Sequence, residues 1–174
     1  STHTMFDNFT FHDLTEEMDP ITKHWKEQNF KFDCISSGYL GSYKQINQVM
    51  SIFDTFGKNV LKVVDPVMAD NGKLYPGFDI AFAHEMANLC AKADIIVPNL
   101  TEACFMLDIP YVEYGTSREY VTYVLRKLTN LGCKKAVLTG ISFESGKLGC
   151  VGYDSETDTL FEYFNEKLPQ KYHG

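Results

Sequence analysis

The sequence contains no C-x-x-C pair, no apolar run long enough to cross a membrane and no surplus of basic residues. Each absence removes a class of function. Cys34, Cys90, Cys104, Cys133 and Cys150 are odd in number and scattered, which argues against a disulfide framework or a zinc site and for reduced, mostly buried thiols in a cytosolic protein. No stretch approaches the roughly 18 apolar residues of a membrane span, and no signal-peptide pattern opens the chain. A formal net charge of −7 speaks against a broad nucleic-acid surface while leaving room for a small phosphate pocket. The histidines, at positions 3, 12, 24, 84 and 173, have no metal-ligand spacing. His84, on an expected helix, reads as a packing or surface residue, and no nucleophile–base motif stands out.

What is present suits one domain of 174 residues, with 44% apolar and 22% charged side chains. Strand-like and helix-like segments alternate. "FDCIS" (32–36) reads as a strand, and a loop at 38–41 follows it. Ser42 then caps a helix whose Ile46, Val49, Ile52, Phe53 and Phe56 follow helical spacing, with Gly57 as its stop. "VLKVV" (60–64), "DIIVP" (94–98) and "AVLTG" (136–140) read as strands, while 80–92, 101–107 and 117–131 read as helices. Two further strands, near 147–153 and 159–164, flank the polar turn "DSETD". The pattern predicts an α/β fold: a mostly parallel central sheet flanked by helices and ending in an antiparallel hairpin. "DLTEEMDPITKHWKEQ" also has helical character but contains Pro20.

Gly38-Tyr39, Asp65, Asn99 and Thr139-Gly140 each follow an expected strand, so they should converge on the carboxyl-end rim where open α/β sheets bind ligands. Asp65, Asp70, Asn99 and Glu102 are hard oxygen donors of the kind magnesium accepts alongside water and phosphate. A structural reading stands beside that one. Asp65-Pro66 can end a strand, Asp70-Asn71-Gly72 can be a turn, and Asn99 with Glu102 has the spacing of a helix-capping pair. "GISFESGK" (140–147) looks like a phosphate loop but is one residue too long, and Leu148 stands where Ser or Thr is needed.

The segments "STHTMFDNFTFHDLTEEM", "SGYLGS", "VVDPVMADNGKLYPGF", "ADIIVPNLTEA" and "VLTG" occur in the order seen in pyridoxal/pyridoxamine (vitamin B6) kinases. The chain resembles that branch of the ribokinase-like superfamily across nearly its whole length. "PNLTEA" is shared more widely, including with hydroxymethylpyrimidine kinases. The resemblance implies ATP-dependent phosphorylation of the 5′-hydroxymethyl group of pyridoxal, pyridoxamine or pyridoxine. The alternatives are hydroxymethylpyrimidine phosphorylation, or an inactive fragment that only binds nucleotide or vitamin. It further implies a cytoplasmic homodimer acting on small molecules, without a nucleic-acid or membrane partner.

By resemblance, Asp65 and Glu102 serve the metal, Mg2+. Asp65, Asp70, Asn99, Glu102, Thr139 and Tyr75 attend ATP, with residues 71–77 forming a flap. Thr4, His3 and Tyr39 face the vitamin. Residues 1–174 are then one ribokinase-like domain, truncated before the first strand and at a G-T-G-D motif whose general-base aspartate is expected after Gly174. No catalytic base is assigned within the chain. Ala69 stands where glycine is usual and Val97 where many relatives have threonine, so positive φ at 69 and a cation-binding hydroxyl at 97 are both in question.

Overall fold

A computed structural model of the chain describes residues 7–112 and 116–169. Six strands form one sheet in the order β1 (Cys34–Ser37), β2 (Leu61–Val64), β5 (Ile95–Ile96), β6 (Lys135–Ile141), β7 (Lys147–Asp154) and β8 (Thr159–Glu166). The first four run parallel, and β6–β7–β8 is an antiparallel meander. A separate two-stranded ribbon, β3 (Ala69–Asp70) and β4 (Lys73–Leu74), stands off the sheet. The helices are α1 (Thr15–Glu27), α2 (Tyr43–Phe56), α3 (Ile80–Ala91), α4 (Leu100–Leu107) and α5 (Arg118–Thr129). Among the described residues no helix is long and apolar enough to cross a membrane.

Local chemistry sets the helix ends. Ser42, Asp79, Asn99 and Ser117 each take an extended N-cap conformation and accept a backbone N–H from the first turn of α2, α3, α4 and α5 respectively. Gly57 closes α2 as expected. The last expected helix stops earlier, at Thr129, where Thr129 Oγ1 donates back to the Arg126 carbonyl. Pro20 sits inside α1. It has no N–H for the carbonyl of Glu16, yet α1 continues through it; the turn before it is anchored, with Asp13 accepting the Thr15 N–H at 2.8 Å and Gln48 donating to the Thr15 carbonyl at 3.0 Å.

Strand register separates the two faces of the sheet. Val64, Ile96, Ala136, Leu138, Ile141 and Val151 lie on one face and are buried against Leu89, Cys90, Val121, Leu125 and Leu128 of the helices. The opposite face carries Leu61, Leu148, Phe161 and Tyr163, all exposed. The core is therefore built mainly on one side of the sheet. Leu125 is fully buried there, so Leu125→Ala should cost about 2–5 kcal/mol, read as a lower urea midpoint at unchanged slope.

Candidate functional site

Backbone hydrogen bonds continue past the strand ends and stitch the carboxyl-end rim together. Asp65 N–H donates to the Ser37 carbonyl at 2.9 Å, Val97 to Val64 at 3.0 Å and Thr139 to Pro98 at 3.0 Å. Asn99 and Thr139 form a parallel bridge. The loops after β1, β2 and β5 and the end of β6 thus lie side by side, which brings Tyr39, Asp65, Asn99 and Thr139 to one edge. Gly140, at φ 69°, takes the bulge that shifts the β6–β7 register between Leu138 and Ile141.

The N-terminus of α4 is the centre of this edge. Asn99 Oδ1 accepts the Glu102 N–H at 2.9 Å, and Glu102 Oε2 accepts the Asn99 N–H at 2.8 Å, completing a capping box. The capping interpretation of this pair therefore holds, but it does not exhaust either residue. Asn99 Nδ2 donates to the Ala69 carbonyl at 2.8 Å, and Glu102 Oε1 accepts the Met68 N–H at 3.2 Å. Both residues grip the ribbon that follows Asp65. The Glu102 carboxyl is buried, and burial pushes its pKa up to about 7 against the backbone donors of Asn99 and Met68, with the nearby Asp65 charge adding to the rise.

Asp65 is half-buried, and its carboxylate accepts no hydrogen bond among the described residues. Burial raises its pKa. The Tyr75 hydroxyl is also raised, first by burial and then by the charges of Asp70, Glu102 and Asp65, which places all four groups in one electrostatic neighbourhood. Asp70 binds its own neighbour, accepting from Asn71 N at 2.8 Å and Nδ2 at 2.7 Å. Among the described residues no three His, Cys, Asp or Glu side chains form a ready metal cluster. The donors present fit a hard divalent cation that keeps most of its own ligands: one desolvated carboxylate without a partner among the described residues, and a second whose oxygens already serve backbone N–H groups.

The remaining residues expected at the site are more loosely placed. Thr139 is exposed and turns its hydroxyl to the Pro98 carbonyl at 3.4 Å. Tyr39 is 55% exposed, with its ring 5.9 Å from Phe78, which in turn stacks on Phe82 at 4.3 Å. His3, Thr4 and Gly174 lie outside the described residues. Ala69 is a buried strand residue with no positive φ, so its side chain suits the position. Three neighbours escaped the sequence reading. Lys73 is paired directly opposite Asp70 and makes no ion pair among the described residues, and the Asn-Gly hairpin signal was the clue to it. Thr101 and Tyr111 contact the ribbon tip, and nothing local in the sequence announces that.

The phosphomethylpyrimidine kinase family model matches residues 16–174. The chain belongs to that family. Among solved members of the wider fold, a phosphomethylpyrimidine kinase-like protein of Bacteroides thetaiotaomicron is 37% identical, with a TM-score of 0.93 over 99% of this chain and 59% of its own. A second form of that protein was solved with pyridoxal. Pyridoxal kinase of Lactobacillus plantarum is 30% identical at TM-score 0.87, over all of this chain and 61% of its own. Pyridoxal kinase PdxY of Actinobacillus pleuropneumoniae is 30% identical over 117 residues, 64% of this chain and 39% of its length. The family chain described here therefore spans between about two fifths and three fifths of the relatives it matches. Its architecture, a mostly parallel ribokinase-like sheet with an antiparallel end, is the one these kinases share.

The raised carboxyl at the rim makes stability depend on pH. Glu102 holds a proton up to about pH 7 when folded and only to about 4.5 when unfolded, so its stabilising contribution is complete below 4.5 and lost as pH climbs through 7. Thermal midpoints taken without nucleotide should therefore fall between about pH 5 and 7.5. Glu102→Gln should melt lower, because its amide replaces one acceptor with a donor, but with this part of the pH slope removed. An unchanged slope in the variant would mean that Glu102 does not carry it.

Proposed function

We propose that this chain is the nucleotide- and vitamin-binding core of an ATP-dependent kinase that phosphorylates the 5′-hydroxymethyl group of pyridoxal, pyridoxamine or pyridoxine. The observation that carries the reading is Asp65. A partly desolvated carboxylate with no hydrogen-bond or ion-pair partner among the described residues is unfavourable unless a cation compensates it, and it stands on the rim where such sheets bind ligands. The similarity to a protein solved with pyridoxal supports the choice of vitamin, as does the 30% identity to the Lactobacillus plantarum enzyme.

In this reading Asp65, with Glu102 behind it, holds Mg2+ that accompanies the nucleotide and offsets phosphate charge. Asp70, Tyr75 and Thr139 border the nucleotide, and Asn99 keeps the rim and ribbon in register. Tyr39, with Thr4 and His3, borders the vitamin. The substrate hydroxyl attacks the γ-phosphorus, the bond to the β-phosphate oxygen breaks, and ADP leaves. The hydroxyl proton requires an acceptor, a role assigned to none of the residues described here. The single-domain organisation over residues 1–174, the cytoplasmic setting suggested by five free thiols and a homodimeric assembly belong to the same proposal. Hydroxymethylpyrimidine phosphorylation is the second reading, favoured by the family match itself.

Phosphate transfer from ATP should be measured with pyridoxal, pyridoxamine and hydroxymethylpyrimidine side by side, together with Mg·ATP affinity. Turnover of a B6 vitamer alone is the expected result. Turnover of hydroxymethylpyrimidine alone moves the assignment to the second reading, and nucleotide binding without any transfer identifies a binding fragment. Asp65→Ala should weaken Mg·ATP binding by about tenfold or more while leaving the melting midpoint within a few degrees, since it removes an uncompensated charge. Unaltered affinity with a large fall in midpoint would return Asp65 to a structural role.

A further inference from the structure

The β3–β4 ribbon is too small to hold itself. It has two residue pairs, Ala69–Leu74 and Asp70–Lys73, and no strand pairing to the main sheet. Its turn residues, Asn71 at φ 51° and Gly72 at φ 74°, form a tight two-residue reversal. The ribbon's position is therefore set by what grips it from outside, and α4 with the segment after it supplies four grips. Two act at the base: Asn99 Nδ2 on the Ala69 carbonyl and Glu102 Oε1 on the Met68 N–H. The other two act at the tip. Thr101 Oγ1, on a residue only 2% exposed, accepts the Gly72 N–H at 3.0 Å, and the Tyr111 ring lies flush against Gly72. A Cβ placed on Gly72 would meet that ring at 2.9 Å.

The two pairs of grips differ in kind. Asn99 and Glu102 also cap α4, so the base is fixed for as long as the helix exists. Thr101 and Tyr111 hold the tip without taking part in the cap. We propose that Thr101 and Tyr111 are positioning residues that latch the ribbon tip, and so fix where Asp70, Lys73 and Tyr75 stand relative to Asp65. The part of this inference that concerns nucleotide rests on the kinase reading above. Loss of either grip leaves the base in place and frees the tip, which changes ligand affinity without unfolding the protein.

The test is amide hydrogen exchange together with Mg·ATP titration on the unaltered protein and on Thr101→Val, Thr101→Ser, Tyr111→Ala and Tyr111→Phe. In Thr101→Val the Gly72 amide should exchange at least about tenfold faster while the amides of α4 and α5 hold. Mg·ATP affinity should drop by about three- to tenfold. Thr101→Ser should restore both readouts, because it keeps the accepting oxygen. Tyr111→Ala should behave like Thr101→Val, and Tyr111→Phe like the unaltered protein, since the contact is made by the ring; this pair decides the matter if Thr101→Val folds poorly. Unchanged Gly72 exchange in both Thr101→Val and Tyr111→Ala overturns the latch. Faster exchange with unaltered affinity overturns its role in positioning. If the unaltered protein binds no Mg·ATP, the kinase reading falls and the exchange results alone decide whether the latch exists.

Discussion

The reciprocal hydrogen bonds between Asn99 and Glu102 are the constraint on which the rest of the rim depends. A helix N-terminus leaves N–H groups without partners, and here an amide and a carboxylate answer two of them in one box. The same side chains have donors and acceptors to spare, and they spend them on the chain that leaves β2, at Met68 and Ala69. Helix capping and ribbon placement are thus one network rather than two. Its members are close enough that changes among them should not be additive.

That network also explains an electrostatic tension. A buried carboxylate that accepts backbone N–H bonds would ordinarily ionise easily, yet burial outweighs those bonds at Glu102 and Asp65 lies nearby with its own unfavourable desolvation. The charges of Asp70, Glu102 and Asp65 all bear on the Tyr75 hydroxyl. Folded alone, such a cluster is a liability. Beside a divalent cation the same carboxylates would become complementary, which is why we propose the rim as a binding surface rather than a failure of packing.

Much of this was legible in the sequence. Ser42 and Gly57 bracket α2 because a hydroxyl can cap and a glycine can end a helix, and those are local properties. The rim was legible for the same reason: Tyr39, Asp65 and Asn99 each follow an apolar strand, and parallel strands end on one edge. Thr139, expected just past its strand, instead lies within β6, which runs on to Ile141. The Asn99–Glu102 spacing announced a capping pair. What stayed hidden was everything set by partners far along the chain. The contact of Thr101 with Gly72 spans 29 residues and that of Tyr111 with Gly72 spans 39, and neither residue type signals it. Pro20 falls inside α1, which continues through it, and the contact of Gln48 of α2 with the first turn of α1 is another long-range bond that the local sequence does not announce.

The sequence by itself determined the order of the elements, the caps that start the helices, and the polar residues delivered to the ends of parallel strands. These depend on side-chain chemistry within a few residues and on periodicity. Only the tertiary structure decided that the core lies mainly on one face of the sheet, and that a capping carboxylate is buried enough to stay protonated up to about pH 7. It also decided that a two-stranded ribbon over residues 69–74 is held by a helix rather than by the sheet. Burial and long-range hydrogen bonding are properties of where elements come to rest, and no local pattern of residues encodes them.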